Sequence, residues 1–135
     1  MSIRQNSRLI AIVDDDESVQ RALRDLLESD GLSTLSFGSA EEFLNSGVQY
    51  KAACLIADIC MPRITGLQLQ AKLKAEECPM PIILITGHDD VGWRAFALRN
   101  GAVELLTKPF DDSVLLKTVH VALDTAAPTK RSDED

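Results

Sequence analysis

The sequence predicts an α/β fold in which five strands alternate with five helices, a (βα)5 chain. Three observations carry this. Short apolar blocks recur along the chain, and "LIAIV" (9–13), "ACLIAD" (53–58) and "IILIT" (82–86) are nearly continuous hydrophobic runs. Such runs suit strands buried on both faces of a parallel sheet. Stretches with helical spacing fill the gaps between the blocks. The 135 residues, 45% of them apolar, suit one domain that buries its core without disulfides or metal staples.

In chain order, the first strand is "LIAIV". Val19, Ala22, Leu23, Leu26 and Leu27 then line one face of a helix that stops at Gly31. "LSTLSF" (32–37) is the second strand. Ser39, with Glu42 three residues on, opens a second helix with a capping box. "ACLIAD" is the third strand, and a third helix carrying Leu67, Leu69, Ala71 and Leu73 follows Gly66. "IILIT" is the fourth strand, followed by a helix over roughly 91–100 that stops at Gly101. "AVELL" (102–106) is the fifth strand, and the fifth helix begins near Asp111-Asp112 and ends near Asp124. The organisation expected is an N-terminal segment over 1–8, one domain over 9–125, and a polar tail over 126–135, disordered for want of large apolar residues. Right-handed crossovers put helices on both faces of the sheet.

Composition excludes several function classes. Formal net charge is −7, and no basic cluster exceeds Lys130-Arg131, so the chain is not expected to bind DNA or RNA directly. The three cysteines, Cys54, Cys60 and Cys78, form no CxxC pair, which argues against a disulfide framework or a zinc site. No apolar run approaches the ~20 residues of a membrane span, and "MSIRQNSR" lacks the apolar block of a signal peptide. The expectation is a soluble cytoplasmic protein that does not engage a membrane.

In open α/β sheets, ligands bind beyond the carboxyl ends of the strands. The first strand ends in Asp14-Asp15-Asp16, the third in Asp58, the fourth in Thr86, and the fifth leads into Lys108-Pro109. One crevice therefore gathers several carboxylates, a hydroxyl and an ammonium. Crowded carboxylates repel one another. A hard divalent cation that takes oxygen ligands neutralises them. A carboxylate can also attack phosphorus to form an acyl phosphate, and phosphoryl transfer needs mainly positioning and charge neutralisation. Asp58 stands alone at its strand end, while the paired Asp14 and Asp15 suit metal ligation. Asp16, Glu17 and Ser18 fall where the first helix begins, where negative charge favours the helix dipole.

"IVDDD" (12–16), "IADICMPRITG" (56–66), "IILITG" (82–87) and "TKPF" (107–110) together make the chain resemble the receiver domain of two-component response regulators, from about Leu9 to Ala122. "AEEFL" and "ITGHDDV" are most similar to the FixJ-like group. The resemblance implies a flavodoxin-like three-layer sandwich with parallel sheet order 2-1-3-4-5. It implies that Asp58 accepts a phosphoryl group from a histidine kinase or phosphotransfer protein. It further implies Mg2+ (or Mn2+) held by Asp14, Asp15, Asp58 and the main-chain carbonyl of Cys60. Thr86 and Lys108 would hold the phosphoryl oxygens, and Lys108-Pro109 is a candidate cis peptide.

The chain also departs from that pattern. Leu105 stands where the family usually has an aromatic switch residue. Asp89-Asp90-Val91-Gly92 replaces the Gly-Asp-Val-Pro common in the FixJ-like group. Cys60 and His88 each lie two residues beyond a site residue and are expected to tune the lifetime of the phosphate. On the fourth helix Val91, Ala95 and Leu98 are expected to face the core, and Trp93 and Phe96 to fall on the opposite side as a partner face. By resemblance, the fourth helix, fifth strand and fifth helix could carry a homodimer.

The expected function is a phosphorylation switch that catalyses its own phosphorylation and dephosphorylation without being a turnover enzyme. Two other readings compete with it. "DDDES" from Asp14 also resembles the nucleophile motif of haloacid-dehalogenase-type phosphatases. That reading leaves Asp58 unexplained and needs Asp111-Asp112, better placed as helix caps, as its later acids. A degenerate receiver that binds partners without phosphate is opposed by the intact acid, Thr and Lys set. Nothing after Asp124 could form a helix-turn-helix, so the chain reads either as a single-domain receiver or as part of a longer protein.

Overall fold

A computed structural model describes residues 8–87 and 91–134. The elements run β1 (Leu9–Val13), α1 (Glu17–Ser29), β2 (Ser33–Phe37), α2 (Ala40–Ser46), a 3-10 turn (Val48–Tyr50), β3 (Cys54–Asp58), α3 (Gly66–Ala75), β4 (Ile82–Thr86), α4 (Val91–Arg99), β5 (Glu104–Thr107) and α5 (Asp112–Glu134). All neighbouring strands pair in parallel, in the order β2-β1-β3-β4-β5. This is the flavodoxin-like sandwich expected from the sequence.

Alternation along the strands builds two cores. Ile10 and Ile12 of β1, Cys54 and Ile56 of β3, and Ile83 and Ile85 of β4 pack with Leu23 and Leu27 of α1 and Leu115 and Val119 of α5. The intervening Ala11, Val13, Leu55, Ala57 and Leu84 pack with Phe43 of α2, Leu69 and Leu73 of α3, and Ala97 of α4. Strands buried on both sides thus read as unbroken apolar runs. The edge strand β2, only partly buried, does not.

Local signals set most of the boundaries. Asp16 caps α1 by accepting from the Ser18 N–H, and Gly31 lies just past its end at φ 86°. At α2, Ser39 accepts from the Glu42 N–H, but the Glu42 carboxylate turns back to the N–H of Gly38, so the box is shifted by one residue. The reciprocal capping box instead opens α3, between Thr65 and Gln68.

Three helix expectations need correction. Ala22 is exposed on α1, because the inward stripe is carried by Leu23 and Leu27. Among the described side chains of α4 the inward residues are Ala97, fully buried, and Trp93, packed against the core, whereas Ala95, Phe96 and Leu98 are exposed; the side chain of Val91 lies outside the described residues. The helix is rotated so that its small residue meets the sheet, which Gln70 of α3 reinforces by donating to the carbonyls of Ala97 and Asn100. The fifth helix, expected to end near Asp124, runs on to Glu134. Lack of large apolar residues removes a face to bury but does not forbid helical backbone. No described helix is long and apolar enough to cross a membrane.

Candidate functional site

In this strand order the chain leaves β1 for β2 on one side and passes to β3 on the other. The crevice between the carboxyl ends of β1 and β3 is therefore the switch point where ligands bind in such sheets. The acids sit there. Asp14, directly after β1, is fully buried, and Asp58, the last residue of β3, is 4% exposed. Asp15 beside them is exposed. Carboxylate oxygens of Asp14, Asp15 and Asp58 lie within 4.8 Å of one another, close enough to share one cation.

Backbone contacts fix this geometry. The Asp14 N–H donates to the Phe37 carbonyl at 3.1 Å, which holds the end of β1 against β2. The Asp16 N–H donates to Asp14 Oδ1 at 2.9 Å. Gln20 Nε2 donates to the Asp14 carbonyl at 2.6 Å and so ties α1 to the same residue. On β3, the Ile59 N–H donates to the Ile85 carbonyl at 2.8 Å, and the Cys60 N–H reaches Asp58 Oδ1 at 3.1 Å. Gly66, the first residue of α3, closes the loop: its N–H donates to the Ile59 carbonyl at 3.0 Å. A Cβ there would lie 2.4 Å from the Asp58 carbonyl oxygen, so only glycine lets α3 start this close to the site.

Lys108 enters from beyond β5. Its N–H donates to the Thr86 carbonyl at 2.7 Å, and the Lys108-Pro109 peptide is cis, as the sequence suggested. The ammonium stands between two acids, 3.4 Å from Asp14 Oδ2 and 3.3 Å from Asp58 Oδ2. Thr86, at the end of β4, is fully buried. The four strand ends named in the sequence therefore meet in one place.

Electrostatics reflect the crowding. Burial is the main cause that lifts the Asp14 carboxyl above its ordinary range; the Asp16 N–H opposes it, the Asp58 charge adds to it, and Lys108 opposes it. For Lys108, burial is the largest single influence and pulls downward, but the attraction of Asp14 and Asp58 together leaves the ammonium above its usual range. Asp16 belongs to a different system: hydrogen bonds from the Ser18 hydroxyl and N–H hold it low. The three consecutive acids thus divide into a cap and two cluster members.

The remaining expected residues are scattered. Cys60 is exposed next to Asp58. His88 lies outside the described residues. Leu105 is 4% exposed and belongs to the core shared with Ala97 and Trp93. Trp93 is partly buried there, so of the expected pair only Phe96, 45% exposed, lies open on α4. Arg94 of α4 pairs with Glu104 at 2.9 Å and donates to the Leu105 carbonyl at 3.3 Å, a clamp between α4 and β5 that the sequence reading missed. Its only sequence signal is opposite charge. Asp111 Oδ1 accepts from the Ser113 and Val114 N–H groups and so acts as a helix cap.

Comparison with known proteins agrees with this geometry. The profile of the response regulator receiver domain matches residues 10–120. The transcriptional regulatory protein FixJ of Azorhizobium caulinodans is 38% identical over 93% of this chain and 59% of its own length. The response regulator protein TodT of Pseudomonas putida is 42% identical over 93% of this chain and 55% of its own. The chain therefore spans somewhat over half the length of these relatives. The crystal structure of FixJ-N superposes with a TM-score of 0.81 at 33% identity, over 88% of this chain and 95% of that one.

Proposed function

The chain belongs to the response regulator receiver domain family of two-component systems, and from that premise we propose that Asp58 is its phosphoacceptor and that the fold works as a phosphorylation switch. One observation carries this reading. Asp58 lies at the switch point with Lys108 3.3 Å from one carboxylate oxygen and the Cys60 N–H 3.1 Å from the other, so the acid is oriented and its charge opposed.

The donor set fits a hard divalent ion. Three carboxylates converge, oxygen ligands are what Mg2+ or Mn2+ prefers, and one face of the set, at Asp15, is open to water. Asp14, Asp15, Asp58 and the main-chain carbonyl of Cys60 would hold it. When bound, such an ion supplies charge neutralisation for incoming phosphoryl oxygens. The chain's own residues do the rest. A carboxylate oxygen of Asp58 forms the new O–P bond as the P–N bond to the donor histidine breaks, and the imidazole leaves with the electron pair and takes up a proton. Lys108 follows the added negative charge, and the Thr86 hydroxyl donates to it in this reading. Hydrolysis attacks the same phosphorus with water, and the exposed Cys60, with His88, is positioned in sequence to tune its access.

Phosphate on Asp58 adds charge beside Lys108, whose backbone is tied to Thr86, and the two strands lead to the α4–β5 clamp. A shift in that arrangement is the proposed output. The partners proposed are a histidine kinase or phosphotransfer protein, and a second copy across the face of α4, β5 and α5 that exposes Phe96.

The test is intact mass after treatment with acetyl phosphate and Mg2+. Wild type gains one phosphoryl group and Asp58→Ala gains none. Continuous phosphate release from an aryl phosphate that needs Asp14 would point instead to a phosphatase, and no addition at all to a receiver that works without phosphate.

A further inference from the structure

The opposite end of the sheet holds a cavity of about 830 Å3, within the roughly 300–1,000 Å3 span of small-molecule sites. It lies at the amino ends of β3, β4 and β5, against Ala53, Ile82 and Val103. Five-residue strands at roughly 3.3 Å per residue separate it from Asp58, so it is no part of the acid cluster.

Its lining combines three features. Leu73, Met80 and the two prolines of "CPMP" (78–81) make it apolar. Its only charged lining residues are Lys74 and Arg99, both exposed, and neither has an ion-pair partner among the described residues. A chain of net charge −7 thus presents a locally positive mouth here. Finally, Gln49 and Gln70 border the cavity at 6% and 3% exposure; the side-chain carbonyl oxygen of each has no hydrogen-bond partner and is sealed behind the lining. Their amide nitrogens are already committed: Gln49 Nε2 to the Leu44 carbonyl at 3.3 Å, and Gln70 Nε2 to the carbonyls of Ala97 and Asn100 at 3.1 and 3.2 Å. Buried acceptors left alone are costly and rare in native proteins.

We propose that this cavity binds a small aromatic carboxylate. The carboxylate would meet Lys74 and Arg99, and the ring would lie against Met80 and the prolines. Gln70 joins the cavity to the carboxyl end of α4, so occupancy also bears on the helix that Arg94 clamps to β5. Coupling of this kind is reciprocal between the two sites. The binding itself is independent of whether Asp58 is phosphorylated.

The test is titration of 15N-labelled protein, without phosphodonor, with indole-3-acetate as probe. Saturable amide shifts centred on residues 49–53, 78–82 and 99–103 are expected, with a dissociation constant below about 1 mM. The neutral analogue tryptophol should bind at least about tenfold more weakly. The surface double variant Lys74→Gln, Arg99→Gln should keep the folded spectrum and lose indole-3-acetate binding by about tenfold or more. The proposal is overturned by no saturable shift up to about 10 mM, by shifts centred on Asp14, Asp58 and Lys108, or by equal affinities for the two probes or the two proteins.

Discussion

Gly66→Ala separates two physical effects that predict opposite signs. Gly66 opens α3, and replacing a helical glycine by alanine ordinarily stabilises by up to about 1 kcal/mol. Its φ lies outside the left-handed region, so alanine meets no backbone penalty of its own. The new Cβ, however, would stand 2.4 Å from the Asp58 carbonyl oxygen and 2.9 Å from both the Asp58 carbonyl carbon and Ile59 Cα. An ordinary C···O contact is about 3.3 Å, so the two backbones must part by roughly 0.9 Å. Neither can swing aside as a flexible side chain would. The Ile59 N–H is bonded to Ile85 and the Ile59 carbonyl to the Gly66 N–H. Overpacking of this kind costs about 1–3 kcal/mol, which at about 3–5 °C per kcal/mol for a chain of this size lowers Tm by roughly 3–15 °C. The same displacement moves Asp58 relative to Lys108, and misplacement of a reacting group by about 1 Å costs on the order of a hundredfold in rate. Urea unfolding and the rate of labelling by acetyl phosphate measure the two consequences. A Gly66→Ala protein as stable as wild type that labels at the wild-type rate would refute the close-approach argument.

Other outcomes follow from the same geometry. Mg2+ at ten times its dissociation constant should stabilise the folded protein by about 1.4 kcal/mol, read as a saturable rise in Tm that Asp15→Asn weakens. The raised pKa of Asp14 means that the folded state holds this proton more tightly than the unfolded state. Without metal, stability should therefore be greatest below pH 3.8 for this group and fall as pH rises through its folded pKa; Asp14→Asn should flatten that slope and be the more stable protein at neutral pH, on the order of 1 kcal/mol by urea titration. Glu77 is exposed at φ 56°, so Glu77→Gly should stabilise by about 0.5–1 kcal/mol in chemical unfolding. Removing the exposed Arg63–Glu41 pair at 2.9 Å by Arg63→Gln should leave the unfolding midpoint essentially unchanged in the same assay.

The fold was legible wherever burial was two-sided. β1, β3 and β4 are unbroken apolar runs because helices cover both faces, and each ended within a residue of its expected bounds. The acid cluster was legible for a related reason: its members are strand-terminal, and topology alone brings such ends together. The orientation of α4 was not. Its apolar residues surround the helix, so periodicity could not choose a face, and the choice came from the small Ala97 against the sheet and from Gln70 on the neighbouring helix. Contacts between separate elements, such as Gln20 on the Asp14 carbonyl and Arg94 on Glu104, leave no periodic trace. The cavity at the far end of the sheet was likewise invisible, because its lining comes from the ends of several elements.

The central claim concerns which carboxylate carries the phosphoryl group. Borohydride reduces an acyl phosphate to an alcohol and so marks the residue that bore it. After labelling with acetyl phosphate and Mg2+, reduction and peptide sequencing by mass spectrometry, the mark should fall on Asp58 alone, within "IADICMPR". A mark on Asp14 or Asp15, or a labelled protein in which Asp58 is unmodified, would contradict the account.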